Sequence, residues 1–286
     1  MLPVFIKEPP RSPLPGASDC SAGGADFMRL DRFLSGQTAF SRRTLTELIR
    51  SGAVTCNGIV IRKPDAAVNP GADTVTLQGK PVLYSKFHWF LLHKPEGVIT
   101  AARDPKQKTV LDLLRPEDRL PRLAPVGRLD KDTAGMLLIT DDGVTAHQMI
   151  SPKHHVAKYY LAALRDPFRQ DYISAFRSGM LLREGSSEEQ CLPAECVQIA
   201  ERLAVLELHE GRYHQVRRMF AAAGNHVENL LRVQIGQLRL PPDLPKNDYL
   251  PIFNKDVESA LKNSDISEVC AFCAQDYSSY WIKTGI

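Results

Sequence analysis

The sequence has no apolar run that approaches the roughly 20 residues needed to span a bilayer. Its first residues also lack a continuous apolar core followed by a small-residue cleavage site, so neither a transmembrane helix nor a signal peptide is predicted. Cysteine is scarce, and six residues without regular spacing do not indicate a disulfide framework. These absences predict a protein of the reducing cytoplasm with no membrane partner.

Basic charge is concentrated in one part of the chain. The formal net charge of +3 is too small by itself to indicate a nucleic-acid partner. Residues 28–86, however, contain nine Lys or Arg and four Asp or Glu, a balance of +5 that leaves −2 for the rest of the chain. This distribution favours a nucleic-acid-binding surface near the N-terminus.

The basic region contains signals for a helix and a hairpin. Ser41 is a typical N-cap and Gly52 a typical residue beyond the last turn, so a helix is predicted between them. Its predicted buried face carries Leu45, Leu48 and Ile49, and Arg43 and Arg50 share another face with Arg42 close by. Asn57 and Gly58, between two short β-type segments, predict a hairpin. A basic face suits phosphate binding, but an ordinary solvated helix face has the same pattern, so charge alone leaves both interpretations open.

A charged, glycine-bracketed loop at residues 125–135 leads directly into an apolar segment at 136–140. It contains Asp130, with Arg128 and Lys131 beside it. A fixed, ionised carboxylate can act as a nucleophile, and neighbouring cations favour the ionised form. An aspartate in such a loop is also a common turn or capping residue, so the loop alone does not decide its role.

Three further segments accompany this loop. They are Phe-Leu-Leu-His-Lys-Pro-Glu-Gly-Val-Ile-Thr at 90–100, Ser-Pro-Lys-His-His-Val-Ala-Lys-Tyr-Tyr at 151–160, and Glu-Gly-Arg-Tyr-His-Gln-Val-Arg-Arg-Met-Phe at 210–220. Together with Gly-Arg-Leu-Asp at 127–130, they resemble the ribosomal RNA pseudouridine synthases. Within that superfamily they look most like the RsuA type, which modifies 16S rRNA of the small subunit. The resemblance covers about residues 28–257.

The resemblance implies an α+β fold with two domains. Residues 28–84 are similar to the small alpha-L RNA-binding module, and 85–257 to a catalytic domain with a mostly antiparallel mixed sheet flanked by helices. Apolar patterning independently indicates strands at 90–92, 136–140, 159–164 and 203–208, and helices near 144–150 and 216–223. Residues 1–27 are predicted to be a disordered extension, from an upstream start codon or otherwise dispensable, and 258–286 a C-terminal tail.

The resemblance also assigns residues to the reaction, which isomerises uridine to pseudouridine without a cofactor or metal. Asp130 would be the nucleophile, Tyr160 would stack on the target base, and Arg217 would pair with the carboxylate. Tyr159, adjacent on a strand, would face the opposite side of the sheet. RNA contacts are expected from Arg29, Arg42, Arg43, Arg50, Arg128, Gln215 and Arg218. The partner would be 16S rRNA or a small-subunit assembly intermediate, bound by a monomer.

The cysteine pair near the C-terminus and the histidines give further expectations. Cys270 and Cys273 form a Cys-x-x-Cys motif, but no second pair completes a zinc site, so no metal or redox function is predicted. The histidines follow no recognised ligand spacing, and only His214 is expected to contact RNA or the loop of Asp130. Two alternatives to the small-subunit hypothesis remain: the same chemistry on large-subunit rRNA, and a noncatalytic ribosome-assembly factor.

Overall fold

A computed structural model describes residues 27–184 and 187–277. The extension predicted at residues 1–27 therefore lies, apart from Phe27, outside the described residues, and so does the end of the predicted C-terminal tail. Within the described part of the chain, no helix combines the length and the apolar character that a bilayer crossing requires.

The N-terminal module consists of two helices packed on short strands. Its elements are β1 (Met28–Arg29), α1 (Leu30–Gln37), α2 (Arg42–Ser51), β2 (Val54–Cys56), β3 (Ile59–Val60), β4 (Ala67–Val68), β5 (Val75–Leu77) and β6 (Lys80–Val82). The strands form a four-stranded sheet in the order β3-β2-β5-β6 and a separate β1-β4 pair.

Local sequence signals set the bounds of α2 and of the hairpin that follows it. The Ser41 hydroxyl accepts a hydrogen bond from the Thr44 backbone N–H at 3.1 Å, and Gly52 ends the helix in the left-handed conformation. Asn57 and Gly58 both have positive φ, which is the geometry that a tight two-residue hairpin turn needs. The helix and hairpin predicted from the sequence are confirmed.

The second domain carries the remaining α-helices and strands. They are β7 (Trp89–Lys94), β8 (Ala124–Pro125), β9 (Ala134–Thr140), α3 (Gly143–Ile150), β10 (Lys158–Leu164), α4 (Asp171–Arg177), β11 (Leu181–Glu184), β12 (Ser187–Gln190), β13 (Glu195–Ala200), β14 (Leu203–Leu208), α5 (Gln215–Ala222), β15 (Val227–Ile235), β16 (Leu238–Arg239), β17 (Tyr249–Pro251), α6 (Asn254–Ala260) and α7 (Ile266–Asp276).

One large sheet organises this domain. Its strand order is β13-β14-β10-β15-β9-β7-β17, with β16 and β8 added beside β15 and β9. The β9–β15 pairing is parallel, and the other pairings in this sheet are antiparallel. The predicted α+β class and the mostly antiparallel mixed sheet are therefore confirmed.

Both faces of the large sheet are buried, by different helices. One face packs Tyr160 and its neighbours against α4 and α5, through Phe176 and Phe220. The other face packs Tyr159 against α6 and α7. Adjacent tyrosines on β10 thus face opposite sides, as the two-residue period of a strand predicts.

Helix α7 lies in the segment predicted to be a C-terminal tail. It buries Val269, Phe272 and Cys273 against the sheet, and the Tyr159 hydroxyl donates to the Ser264 carbonyl just before it at 2.6 Å. The apolar residues recur at helical spacing, which lets one helix face close the core. This part of the segment is structurally a component of the second domain.

Candidate active site

Asp130 lies in the loop between β8 and β9, and its backbone is held by a buried ammonium group. The Lys94 Nζ donates to the carbonyl oxygens of Pro95, Asp130 and Thr133 at 3.0, 2.9 and 2.8 Å. Lys94 is fully buried, and burial lowers its pKa to about 8. A single side chain therefore fixes both ends of the turn that presents Asp130.

A second clamp holds the residue before it. The Thr100 hydroxyl donates to the Leu129 carbonyl at 2.6 Å and accepts from the Leu129 N–H at 3.2 Å. Gly127 has a φ of +70°, and a Cβ there would lie 3.1 Å from Ile150, so both conformation and space favour glycine. The loop is thus preorganised by two side chains, Lys94 and Thr100, of the segment at 90–100.

The Asp130 carboxylate is half-buried beside a histidine. His214 Nε2 lies 3.6 Å from Asp130 Oδ1, which agrees with the expected contact between His214 and this loop. Burial raises the pKa of Asp130 and Asp132 raises it further, while His214, Arg217 and Lys94 lower it. The net shift is upward because desolvation outweighs the cations.

This balance corrects one expectation from the sequence. The neighbours Arg128 and Lys131 were expected to stabilise the ionised carboxylate, but Arg128 is exposed and the Lys131 Nζ donates to Gln107 Oε1 at 2.8 Å. The cations that act on Asp130 come instead from β7 and from the region of α5. The side chains of Arg128 and Lys131 are directed away from this carboxylate, so proximity in the sequence did not identify the cations that act on it.

Arg217 lies near the carboxylate but pairs directly with a different one. Its Nε is 3.1 Å from Asp132 Oδ2, and its other nitrogens donate to the carbonyls of Val227 and Asp132 at 2.6 and 3.0 Å. The direct pairing with Asp130 expected from the sequence is not what the structure shows. Arg217 still lowers the pKa of Asp130 through its charge.

A cavity of about 490 Å³ joins these groups to the centre of the sheet. Its lining includes Asp130 from the loop, Tyr160 from β10, His214 at the start of α5, and the exposed Arg128. Tyr160 is 8% exposed, so its ring forms part of the wall. The structure thus brings a carboxylate, an aromatic ring and an arginine together in a space of ligand size.

Two residues predicted to contact RNA are engaged by the protein itself. The Gln215 amide donates to Glu210 Oε1 at 2.8 Å and accepts from the Arg212 N–H at 3.1 Å. Arg218 donates to the Tyr213 carbonyl at 3.2 Å. Both side chains order the turn that leads into α5, so this structure gives them a supporting role near the cavity.

The arginines of the N-terminal module differ in whether another side chain of the protein already pairs with them. Arg29 forms a two-point ion pair with Asp31, and Arg43 pairs with Glu47 along α2. Among the described residues, the side chains of Arg42 and Arg50 form no ion pair, and both are exposed. Of the module's arginines predicted to bind RNA, these two are the most available to a phosphate backbone.

The remaining sequence motifs have structural explanations. Cys273 is buried in the core and Cys270 partly buried, and burial raises their pKa values to about 12 and about 11, which disfavours the reactive thiolate. Potential metal ligands meet at Asp130, Asp132 and His214, whose ligand atoms all lie within 4.8 Å of one another. Because Arg217 pairs with Asp132 in this cluster, its charges are already partly balanced.

Four residues around the cavity had no role assigned from the sequence. Lys94 and Thr100 lie in the segment at 90–100, and Lys158 lies in the segment at 151–160. The signal that could have identified them is a charged or polar residue at the edge of an apolar run. Arg232 lies in β15 outside those segments and lines the cavity. Its position depends on strand pairing, which the sequence did not predict.

Comparison with known proteins agrees with this geometry. The S4 domain family matches residues 28–73, and the RNA pseudouridylate synthase family matches residues 88–222. Ribosomal small subunit pseudouridine synthase A of Vibrio cholerae is 40% identical over 82% of this chain and 100% of that protein. The protein of the same name from Escherichia coli K12 is 37% identical over the same shares. A crystal structure of a pseudouridylate synthase matches with a TM-score of 0.57 at 33% identity, covering 82% of this chain and 99% of that one.

An S4 domain followed by a synthase domain with a carboxylate in its cavity defines an RNA-modifying enzyme. The chain belongs to the RNA pseudouridylate synthase family and carries an S4 domain before its catalytic domain. Its reaction is the isomerisation of uridine in RNA to pseudouridine.

Proposed function

We propose that this enzyme converts one uridine in 16S rRNA of the small ribosomal subunit to pseudouridine, with Asp130 as the nucleophile. The target is supported by two relatives named for the small subunit, which this chain matches over their whole length. The observation that supports the role of Asp130 is its place in the cavity, on a loop fixed by Lys94 and beside His214.

The reaction needs few groups. The bond between uracil N1 and ribose C1′ breaks, the base turns, and a bond forms between C1′ and C5, from which a proton leaves while N1 gains one. There is no net oxidation or reduction. The Asp130 carboxylate attacks either ribose C1′ or uracil C6, and both routes require it to be ionised. The charges of His214, Arg217 and Lys94 favour that ionised form.

Tyr160 and Arg128 are proposed to handle the base. The Tyr160 ring in the cavity wall would stack on the uracil, and its hydroxyl would assist removal of the C5 proton. A paired or stacked uridine must first be extruded, at a cost of a few kcal/mol. The exposed Arg128 side chain lies at the cavity, where it would occupy the gap left by the flipped base.

The N-terminal module is proposed to hold the RNA. Phosphate contacts fix the register of a protein on RNA without reading its sequence. Arg42 and Arg50 would supply such contacts from α2, leaving the choice of uridine to the catalytic domain. The proposed substrate is 16S rRNA or a small-subunit assembly intermediate, acted on by a cytoplasmic monomer.

The proposal is tested by release of tritium from 5-tritiated uridine in partially assembled small-subunit particles, with the product mapped. Wild-type protein is expected to release about one equivalent from one position, and Asp130→Asn none. Release from large-subunit RNA instead would keep the chemistry and overturn the target. No tritium release from either small-subunit particles or large-subunit RNA, with RNA binding retained, would favour a noncatalytic assembly factor.

A further inference from the structure

Strand β10 directs two polar side chains into the cavity. Lys158 and Tyr160 are two residues apart and therefore project to the same face of the sheet. On the neighbouring strand β14 they pair with Leu208 and Leu206, which also belong to that face. The ammonium group of Lys158 thus lies along the same wall as the ring proposed to hold the base.

A β-bulge brings a second cation to this wall. Gln234 of β15 pairs with Tyr159, but Arg232, not Val233, pairs with Tyr160, so one residue of β15 is extra. Bulges re-aim side chains and are frequent beside active sites. Val233 remains buried on the opposite face, while Arg232 lines the cavity. The register shift therefore places a guanidinium directly across from Tyr160.

Neither cation is neutralised within the described part of the chain. The Lys158 Nζ donates to the Val156 carbonyl at 3.0 Å, and Arg232 Nε donates to the Met136 carbonyl at 2.8 Å. Arg232 is 3% exposed, and its buried Nη2 has no hydrogen-bond partner among the described residues. Burying unpaired cations is unfavourable, and burial together with Arg232 lowers the pKa of Lys158 to about 8. An anion bound between them would relieve both penalties.

We propose that Lys158 and Arg232 form a binding site for a backbone phosphate adjoining the target uridine, an inference that rests on the proposed function. Phosphate is the group of RNA that carries a negative charge before the reaction begins. A guanidinium can donate charge-assisted hydrogen bonds to the phosphate oxygens. The cavity extends from Asp130 to these cations, and its volume of about 490 Å³ suits a whole small ligand rather than one base edge. A phosphate fixed here would position the ribose relative to Asp130.

The site is tested with small nucleotides, because their binding does not depend on the identity of the RNA target. Dissociation constants of uridine, uridine 5′-monophosphate and uridine 3′-monophosphate are measured by isothermal titration or NMR. The proteins are wild type, Lys158→Met, the charge-preserving Lys158→Arg, and Lys153→Met, which removes an exposed lysine between α3 and β10. Tritium release from RNA by the wild type is measured in parallel.

One of the two monophosphates is expected to bind wild type roughly tenfold more tightly than uridine, since its phosphate forms a charge-assisted hydrogen bond that uridine cannot form. Lys158→Met should abolish that preference, whereas Lys158→Arg and Lys153→Met should keep it. Equal affinities of all three ligands for wild type, or a preference that survives in Lys158→Met, would overturn the site. If wild-type protein releases tritium from RNA in either of those cases, the proposed function stands and only the phosphate site is wrong. If wild-type protein prefers a monophosphate but releases no tritium from RNA, the phosphate site stands and the proposed function is wrong.

Discussion

Asp130 is half-buried, and the charges around it come from three separate parts of the chain. Asp132 follows it in the loop, His214 immediately precedes α5, and Lys94 ends β7. Asp132 raises the pKa of Asp130, whereas His214 and Lys94 lower it. Because the proposed reaction uses the ionised carboxylate, this balance sets the acid limit of activity.

Two substitutions should therefore move that limit in opposite directions. Asp132→Asn removes a negative charge, lowers the pKa of Asp130, and is expected to shift the acid side of the kcat/KM profile to lower pH. His214→Asn removes the imidazole that lowers the pKa of Asp130, so it should shift the acid side to higher pH. The profiles are measured by tritium release, with exposed His226→Asn as the control that leaves the curve unchanged. Shifts in the same direction for both variants would contradict this electrostatic account.

The two tyrosines of β10 provide a matched pair. Tyr160→Phe keeps the ring but removes the hydroxyl from the cavity, so RNA binding is expected to survive while kcat falls by about a hundredfold. Tyr159→Phe removes a hydroxyl on the other face, which donates to Ser264, so it should lower stability by about 1 kcal/mol and leave kcat unchanged. Steady-state kinetics and urea unfolding measure both effects. Normal turnover by Tyr160→Phe would remove its hydroxyl from the mechanism.

At the scale of elements, the sequence predicted the helices and turns whose bounds depend on local signals. Helix α2 was set by Ser41 and Gly52, and the hairpin by Asn57 and Gly58. The role of Lys94 was not predicted, because the Asp130 carbonyl that it binds lies 36 residues further along the chain. Nothing in the local pattern of β7 indicates which loop its last residue will hold.

The hydrogen bonds of Lys94 make a prediction about the loop. Lys94→Met leaves three carbonyls without this donor, two of them in buried hydrogen bonds, so the free energy of unfolding should fall by about 3 kcal/mol. Since the turn around Asp130 loosens, kcat should fall as well, while RNA affinity stays near that of wild type. Urea unfolding, single-turnover rates and RNA titration separate these effects, with exposed Lys106→Met as control. Full turnover in Lys94→Met would show that the ammonium clamp does not position the carboxylate.

At the scale of the whole molecule, the two-domain division and the α+β class followed from the sequence and its resemblance, whereas the strand order did not. The parallel β9–β15 pairing and the bulge at Val233 result from tertiary packing. These two features place Arg232 at the cavity, which explains why that residue was missed. Similarly, Arg217 was assigned to the right cluster but to the wrong direct partner, because Asp130 and Asp132 differ by only two positions in one loop.

The N-terminal module should contribute affinity rather than rate. Replacing Arg42 and Arg50 together by Gln is expected to weaken RNA binding and to reduce the slope of log affinity against log salt by about one for each phosphate that is no longer neutralised. The kcat at saturating RNA should remain unchanged. Filter binding over a salt series measures the slope. Arg202→Gln, in the exposed turn between β13 and β14, is the control, and an unchanged slope in the double variant would exclude these arginines from the RNA interface.

The most direct measurement is a map of pseudouridines in small-subunit rRNA from cells that lack this protein, complemented with wild type or with Asp130→Asn. The account predicts that one pseudouridine disappears without the protein, returns with the wild type, and stays absent with the variant. An unchanged small-subunit map, or restoration of the modification by Asp130→Asn, would contradict it.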